Sequence, residues 1–220
     1  LSAGINTLTF AVPDSAVAGL AYCRFRFQET ESPIGFEGLA QSGEVEDYVI
    51  QIQEDATTGW DFGDAPDALY PTTLAQDGAR HISDGSLFLG QLIDTETDGI
   101  SSLNAKGDDL NYLDDEDGIS FQNPLIIGRT AYIQVVASAD ATLNAWIDLN
   151  DGSGWAGDAA HIFAEYFLEA GSHSLSFDIP DEALVGETFL RFRLSTQTGL
   201  SFTGEAANGE VEDYQSAIYP

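Results

Sequence analysis

One short motif that occurs twice carries side chains able to bind a metal ion or to pair with arginine. The residues GEVEDY occupy positions 43–48 and recur at positions 209–214. Each copy provides three carboxylates, which are ligands for hard divalent cations and strong partners for guanidinium groups. An RFR triplet precedes each copy, at positions 24–26 and 191–193. The motif is therefore a candidate for either a structural clamp or a metal site.

The arrangement of the triplets favours the clamp. CRFRF and LRFRL alternate as β-strands do, which places both arginines of a triplet on one face. If GEVEDY opens the next strand of a hairpin, its acids lie opposite the arginines and can make directional, charge-assisted hydrogen bonds. The predicted clamp residues are Arg24, Arg26, Glu44, Glu46 and Asp47 in the first copy, and Arg191, Arg193, Glu210, Glu212 and Asp213 in the second. The alternative, in which Glu210, Glu212 or Asp213 binds an ion, stays open.

Further acidic clusters lie in loop-like sequence and point to calcium, which takes six to eight oxygen ligands that loops supply well. DTETDG begins like an EF-hand loop, with acids at alternate positions before a glycine, although its twelfth position is Ala105 instead of glutamate. DDEDG and DLNDGSGW are further candidates, and each cluster could also be a solvated acidic turn. We predict at least one bound Ca²⁺. The candidate ligands are Asp61, Asp64, Asp94, Glu96, Asp98, Asp108, Asp109, Asp114, Asp115, Asp117, Asp148, Asn150, Asp151 and Asp158.

The overall charge limits the classes of partner. The chain has 37 acidic residues against 7 lysines and arginines, a formal net charge of −30. Such a field repels nucleic acids and anionic membrane surfaces. No apolar run has the length of a membrane span. We therefore expect neither nucleic-acid binding nor direct membrane insertion, and we expect divalent cations to offset part of the charge.

An internal repeat sets the domain organisation. Residues 1–27 align without a gap on residues 168–194, with shared Gly, Pro and Arg positions, and both copies continue to GEVEDY. Repeats at a fixed period indicate tandem structural units. We predict that residues 1–53 are the C-terminal half of a preceding repeat and that 54–60 form a linker. Residues 61–120 are then an acidic, loop-rich segment, and 121–220 are the sandwich of the second repeat.

The elements that must position these residues are predicted to be strands. SHSLSFDIP, TAYIQVVAS, TLNAWIDLN and HIFAEYFLE alternate polar and apolar residues, and no segment shows a long helical period. Closely spaced short strands are typical of an antiparallel β-sandwich. The segment 61–120 lacks such alternation but contains many large apolar residues, so we expect it to be ordered and held in place by metal ions. The predicted fold class is all-β, a sandwich with a long calcium-bound acidic segment ahead of it.

The order of several motifs resembles one known family. DFGDAPD, YPT, GARH, DDEDG, LNAWIDLN and LRFRL followed by GEVEDY resemble the GEVED domain of bacterial secreted and surface proteins. The resemblance covers residues 61–220, and residues 1–53 resemble the last part of that domain. It implies an extracellular, β-rich, calcium-bearing repeat of large multidomain proteins, adhesins among them. It implies no defined activity.

These observations predict a non-enzymatic module. The three histidines show no zinc-ligand spacing, and the nucleophile and metalloprotease motifs GxSxG and HExxH are absent from the sequence. We expect a structural or adhesive spacer of an extracellular bacterial protein, secreted or at the cell surface. Its partners would be neighbouring repeats, and could include glycans or other surface ligands. The alternative is a calcium-dependent carbohydrate-binding module in which Trp155, in a glycine-rich loop, stacks on a sugar ring.

Overall fold

Two structural units divide the chain, at residues 1–55 and 56–220, and the division falls inside the predicted linker. The structure, a computed structural model, describes residues 19–29, 34–52, 59–67, 69–107 and 115–220, together with residues 4, 7, 8, 10, 12, 13 and 16. No helix within the described ranges has the length and apolar character needed to cross a membrane.

The first unit contains an antiparallel hairpin. Strand β1 (Gly19–Phe27) pairs with β2 (Glu44–Ile52) along the whole length of both strands. The second strand opens directly after Gly43, as the GEVEDY pattern predicts. The register places Arg24 opposite Asp47 and Phe25 opposite Glu46. The two arginines of the triplet therefore lie on the opposite face of the hairpin from Phe25.

The second unit is built from eleven described strands. They are β3 (Gly59–Phe62), β4 (Arg80–Ser83), β5 (Ile119–Phe121), β6 (Leu125–Ile126), β7 (Thr130–Ala137), β8 (Ala141–Ile147), β9 (His161–Leu168), β10 (Gly171–Asp178), β11 (Gly186–Ser195), β12 (Glu205–Ala206) and β13 (Glu210–Tyr219). They form a five-stranded sheet in the order β6-β13-β11-β8-β9 and two three-stranded sheets, β10-β7-β5 and β12-β4-β3. All pairings are antiparallel except β6 with β13 and β4 with β12.

The main core lies between the five-stranded sheet and β10-β7-β5. Side chains that alternate along β8 and β11 meet side chains of β7 and β10 in one buried cluster, which includes Leu143, Phe192, Ile133, Val135 and Leu175. Two sheets that bury their alternating apolar faces against each other form a β-sandwich. The predicted all-β sandwich is confirmed.

The other face of the five-stranded sheet is covered as well. Trp146 on β8 and Phe189 on β11 pack there with Ala65 and Tyr70 from the segment that follows β3, and with Trp155. The small sheet β12-β4-β3 adjoins β13 on the same side. The acidic segment is thus a third layer over the sandwich, and because of it β11 is buried along nearly its whole length.

Candidate metal centre

Three acidic side chains from distant parts of the chain meet inside the second unit. One carboxylate oxygen from each of Asp61, Asp115 and Glu210 lies within 4.8 Å of the other two, and all three residues are buried. Within the described parts of the chain, no other group of three or more His, Cys, Asp and Glu side chains converges in this way. This acidic triad could hold a metal ion.

Each member of the acidic triad is positioned by a backbone N–H group from another element. Asp61 lies in β3, and its Oδ2 accepts a hydrogen bond of 2.6 Å from the N–H of Val211. Glu210 is the first residue of β13, and its Oε2 accepts a hydrogen bond from the N–H of Leu89. These bonds tie the acidic segment to the GEVEDY strand. Asp115, which precedes β5, accepts a bond of 3.2 Å at Oδ2 from the N–H of Asp94.

The second carboxylate oxygen of Glu210 takes no part in this network. Oε1 of Glu210 is buried and has no hydrogen-bond partner among the described residues. Burial, followed by the charges of neighbouring carboxylates, raises the pKa of Glu210 well above its ordinary value. A buried carboxylate oxygen without a partner is costly, and a bound cation offsets that cost because it favours the ionised form.

The second glutamate of the motif orders the loop that carries Asp115. Oε1 of Glu212 accepts a hydrogen bond of 2.8 Å from the N–H of Gly118, and its Oε2 accepts one of 3.1 Å from the Tyr214 hydroxyl. Burial raises the pKa of Glu212 well above its ordinary value. Glycine is needed at position 118, because the Cβ of any other residue there would lie only 2.4 Å from the Cβ of Leu89.

The predicted clamp is present, but it contains one acid per copy. The Nε and one terminal nitrogen of Arg191 donate to the two carboxylate oxygens of Asp213, at 2.7 and 2.6 Å, and the pair is fully buried. In the first unit Arg24 makes the same two bonds to Asp47, at 2.7 Å each, but that pair is exposed.

The assignment of the motif's glutamates to the clamp is wrong. Glu210 and Glu212 pair in register with Leu194 and Phe192, so strand alternation directs them away from the arginine face. The same alternation turns Glu44 and Glu46 away from Arg24 and Arg26 in the first unit, because they pair with Phe27 and Phe25. In the second unit these glutamates face the candidate metal centre and its loop.

The second arginine of each triplet binds carbonyl groups instead of acids. Arg193 donates to the carbonyls of Ser201, Thr203 and Gly204, and its Nε donates to Nε2 of His81. Burial, then the charge of Arg193, lowers the pKa of His81 well below its ordinary value. The neutral ring therefore accepts from Arg193 at Nε2 and donates from Nδ1 to the carbonyl of Asn208, 2.8 Å away.

Most other predicted metal ligands serve as hydrogen-bond acceptors in the loops. Asp98 accepts from the N–H of Leu74, Glu96 from that of Phe62, Asp117 from that of Gln91, Asp64 from that of Gly107 and Asp151 from that of Ser153. Asp148 accepts from the Tyr70 hydroxyl and from the N–H of Asn150. Asp158 is exposed. Asp94 lies beside the acidic triad through its backbone, and Asp108, Asp109 and Asp114 lie outside the described residues.

The expectation that Trp155 is exposed for ligand stacking is wrong. Its side chain is only 3% exposed and packs on Tyr70, with ring centroids 4.5 Å apart. Its indole N–H donates to the carbonyl of Phe189, and the guanidinium carbon of Arg191 lies 4.5 Å from its ring centroid. The glycine-rich loop carries this ring inward, onto the outer face of the sheet, where it shields the clamp.

The sequence predicts Asp61 and Asp115 as metal ligands and assigns Glu210 to the clamp, with ion binding by Glu210 as the alternative. The alternation of side chains along a strand shows that Glu210 is outside the clamp, because only the last acid of GEVEDY shares a face with the arginines. The hydrogen bonds that Leu89, His81 and Tyr70 make to the motif and its surroundings depend on how the loops fold over the sheet. The sequence carries no signal for these contacts.

Comparison with known protein families gives one result. A family model described as the GEVED domain matches residues 2–51 and residues 142–216, together more than half of the chain. The two matched ranges contain the two copies of GEVEDY. No curated protein matches the chain.

Proposed function

Because this chain belongs to the GEVED domain family, we propose that it is a non-enzymatic structural repeat module stabilised by a calcium ion at the acidic triad. The observation that carries the proposal is the convergence of three buried carboxylates, together with the buried Oε1 of Glu210, which has no hydrogen-bond partner among the described residues. Enclosing three carboxylates together is unfavourable unless positive charge accompanies them.

The donor set favours calcium over other common metal ions. All three candidate ligands are carboxylates, whereas zinc sites in proteins are dominated by cysteine and histidine. Calcium accepts six to eight oxygens in flexible geometry, but magnesium sheds its water molecules reluctantly. A buried site walled by side chains and loop backbone therefore suits calcium. Asp61, Asp115 and Glu210 would hold the ion, and its contribution would be electrostatic.

Calcium at this point would act as a staple between layers. Asp61 belongs to the outer layer, Glu210 to the five-stranded sheet, and Asp115 to the loop that leads into the opposite sheet. An ion that binds all three stabilises only the folded arrangement, so its binding energy adds to the free energy of unfolding.

We infer that the module acts outside the cell, as a structural or adhesive spacer of a secreted or surface protein. The internal repeat supports a role within an array of similar units. The net charge of −30 with a single lysine suits a calcium-rich environment, where modules with weak calcium affinity remain loaded. The carbohydrate-binding alternative loses the aromatic residue proposed for it, since Trp155 is buried.

Thermal unfolding with calcium and with a chelator tests the proposed function. We expect calcium, but not an equal concentration of magnesium, to raise the midpoint of the wild-type chain. The variant Glu210→Gln should fold in chelator and lose most of this gain, because glutamine keeps the shape of glutamate but not its charge. The matched control is Glu182→Gln, which changes an exposed acid and should keep the gain. An equal calcium response in both variants would rule out the site.

A further inference from the structure

The hairpin β1–β2 reproduces the pair β11–β13 residue by residue. The register that joins Arg24 to Asp47 also joins Arg191 to Asp213, and it extends over the full length of β1 and β2. The glycine that begins each motif has the same φ, 99° at Gly43 and at Gly209. A Cβ at either position would lie under 2 Å from a carbonyl oxygen of the neighbouring strand. Both copies therefore adopt the same local structure.

The arginine contacts are also the same in both copies. Arg24 donates to the carbonyl of Phe36, as Arg191 does to that of Phe202. Arg26 donates to carbonyls at positions 35, 37 and 38, and Arg193 donates to those at 201, 203 and 204. The loop before each GEVEDY is thus shaped around its arginines. The first unit is a preformed half of the architecture seen in the second.

The opposite face of the hairpin repeats as well. The rings of Phe25 and Tyr48 pack edge to face at 5.7 Å, and those of Phe192 and Tyr214 do so at 5.8 Å. In each copy the tyrosine hydroxyl donates a hydrogen bond to the second glutamate of the motif. By the same correspondence Glu44 occupies the position of Glu210, the glutamate of the acidic triad.

The two copies differ in how far other parts of the chain cover the two faces of the strand pair. Phe192 is fully buried in the sandwich core, whereas Phe25 is 48% exposed. Val211 is buried under the outer layer, whereas Val45, its counterpart on the arginine face, is 50% exposed. A two-stranded hairpin with apolar residues exposed on both faces is marginally stable alone and marks a binding surface.

The second unit shows what covers these faces. In the second unit β8 pairs with the edge of β11 that is opposite β13. Within the described residues, no strand other than β2 pairs with β1. The outer layer of the second unit supplies His81 to Arg193 and the hydroxyl of Thr72 to Arg191. The N–H groups that bind the motif's glutamates, and the other two acids of the triad, come from residues 59–118. Apart from β10, whose counterpart in the repeat alignment is residues 4–11, every covering element lies within residues 59–168.

We propose that the hairpin β1–β2 is the receiving half of a second domain, and that its occupant is a segment with the sequence pattern of residues 59–167. The segment is joined ahead of residue 1, in the order that the second unit shows. Docking buries Phe25 and Val45 and adds a strand beside β1. It also brings the counterparts of Asp61 and Asp115 to Glu44, which completes a second calcium site. Only this last step rests on the proposed function.

The test extends the full chain by one copy of the proposed occupant. Residues 54–167 are joined ahead of residue 1, so that the added segment meets residue 1 as residue 167 meets residue 168 in the natural sequence. We expect hydrogen exchange of the β1 and β2 amides to slow by at least about 100-fold relative to the unextended chain. Calorimetry should show one additional calcium ion per chain. Glu44→Gln in the extended chain should remove the added ion, and Glu210→Gln should remove the original one.

A matched extension separates docking from metal binding. In this second extended chain, asparagine replaces the counterparts of Asp61 and Asp115 in the added segment. We expect the amides of β1 and β2 to stay protected from hydrogen exchange and the added calcium ion to be lost. Unchanged exchange of both strands in both extended chains would overturn the proposal. So would an unextended chain that dimerises in calcium with β1 and β2 protected, because the occupant would then be a second copy. If no chain binds calcium but the extension protects the hairpin, docking stands and the calcium site falls.

Discussion

Asp213 and Asp47 hold the same position in the two copies of GEVEDY and make the same bidentate bond to arginine. They differ in burial, because Arg191 and Asp213 are fully enclosed whereas about half of the Arg24 and Asp47 side chains is exposed. Removing one member of a buried pair leaves an uncompensated charge in the interior. Exposed pairs contribute little, since water and salt screen both charges.

The variant Asp213→Asn should therefore destabilise the second unit strongly. We expect the free energy of unfolding in saturating calcium to fall by about 3–5 kcal/mol, because Arg191 keeps its charge and loses its partner. Asp47→Asn removes the same bond from the exposed copy and should leave the urea midpoint of the second unit unchanged. Equal responses of that midpoint to both substitutions would contradict the role assigned to burial.

Residue types alone predicted part of this site. Alternation in LRFRL placed both arginines on one face, and the structure shows the expected pair with the last acid of the motif. The same rule, applied to GEVEDY, separates Glu210 and Glu212 from Asp213. The meeting of Asp61, Asp115 and Glu210 could not be predicted, because it depends on tertiary contacts between loops that have no sequence period.

At the scale of elements, β11 shows how a strand that alternates in sequence becomes buried on both faces. Its Leu190, Phe192 and Leu194 face the sandwich core. Its arginines and Phe189 face the outer layer that residues 59–107 and Trp155 help to form. Strands with strict alternation, such as β7 and β10, were predicted well since hydrophobic period reports directly on a half-buried sheet. The outer layer was predicted only as ordered loops, since its strands are four residues long or shorter.

The short 3₁₀ helix at Gly154–Ala156 fixes one corner of the outer layer through Trp155. We expect Trp155→Ala to lower the free energy of unfolding by about 3–5 kcal/mol, as is usual for loss of a buried aromatic side chain. The substitution removes the packing on Tyr70 and exposes the ion pair of Arg191. Denaturant unfolding in calcium gives the value.

Phe167→Ala is the matched control for the tryptophan variant. Phe167 is a large aromatic residue on the neighbouring β9 but is 61% exposed, so its loss should change the free energy of unfolding much less. A tryptophan variant that is as stable as this control would show that Trp155 does not stabilise the packing on the outer face of the five-stranded sheet.

At the scale of the whole molecule, the net charge of −30 gives two ways in which cations could stabilise the fold. Any salt screens repulsion between exposed carboxylates, and this effect depends on ionic strength. A buried site responds to one ion only and obeys mass action. The acidic triad is enclosed, so we expect the second behaviour to dominate.

The dependence of stability on calcium concentration separates these two effects. Above the dissociation constant, each tenfold rise in free calcium should add about 1.4 kcal/mol to the free energy of unfolding, the slope of a single site. We expect this slope at constant ionic strength in both low and high sodium chloride, because a buried ion is poorly screened. Glu210→Gln should flatten the slope while keeping the general response to salt. A slope that vanishes in high salt would mean that exposed carboxylates are stabilised by screening, and an equal slope with magnesium would mean that the site does not select calcium. Either result would contradict a resident calcium ion at the buried triad.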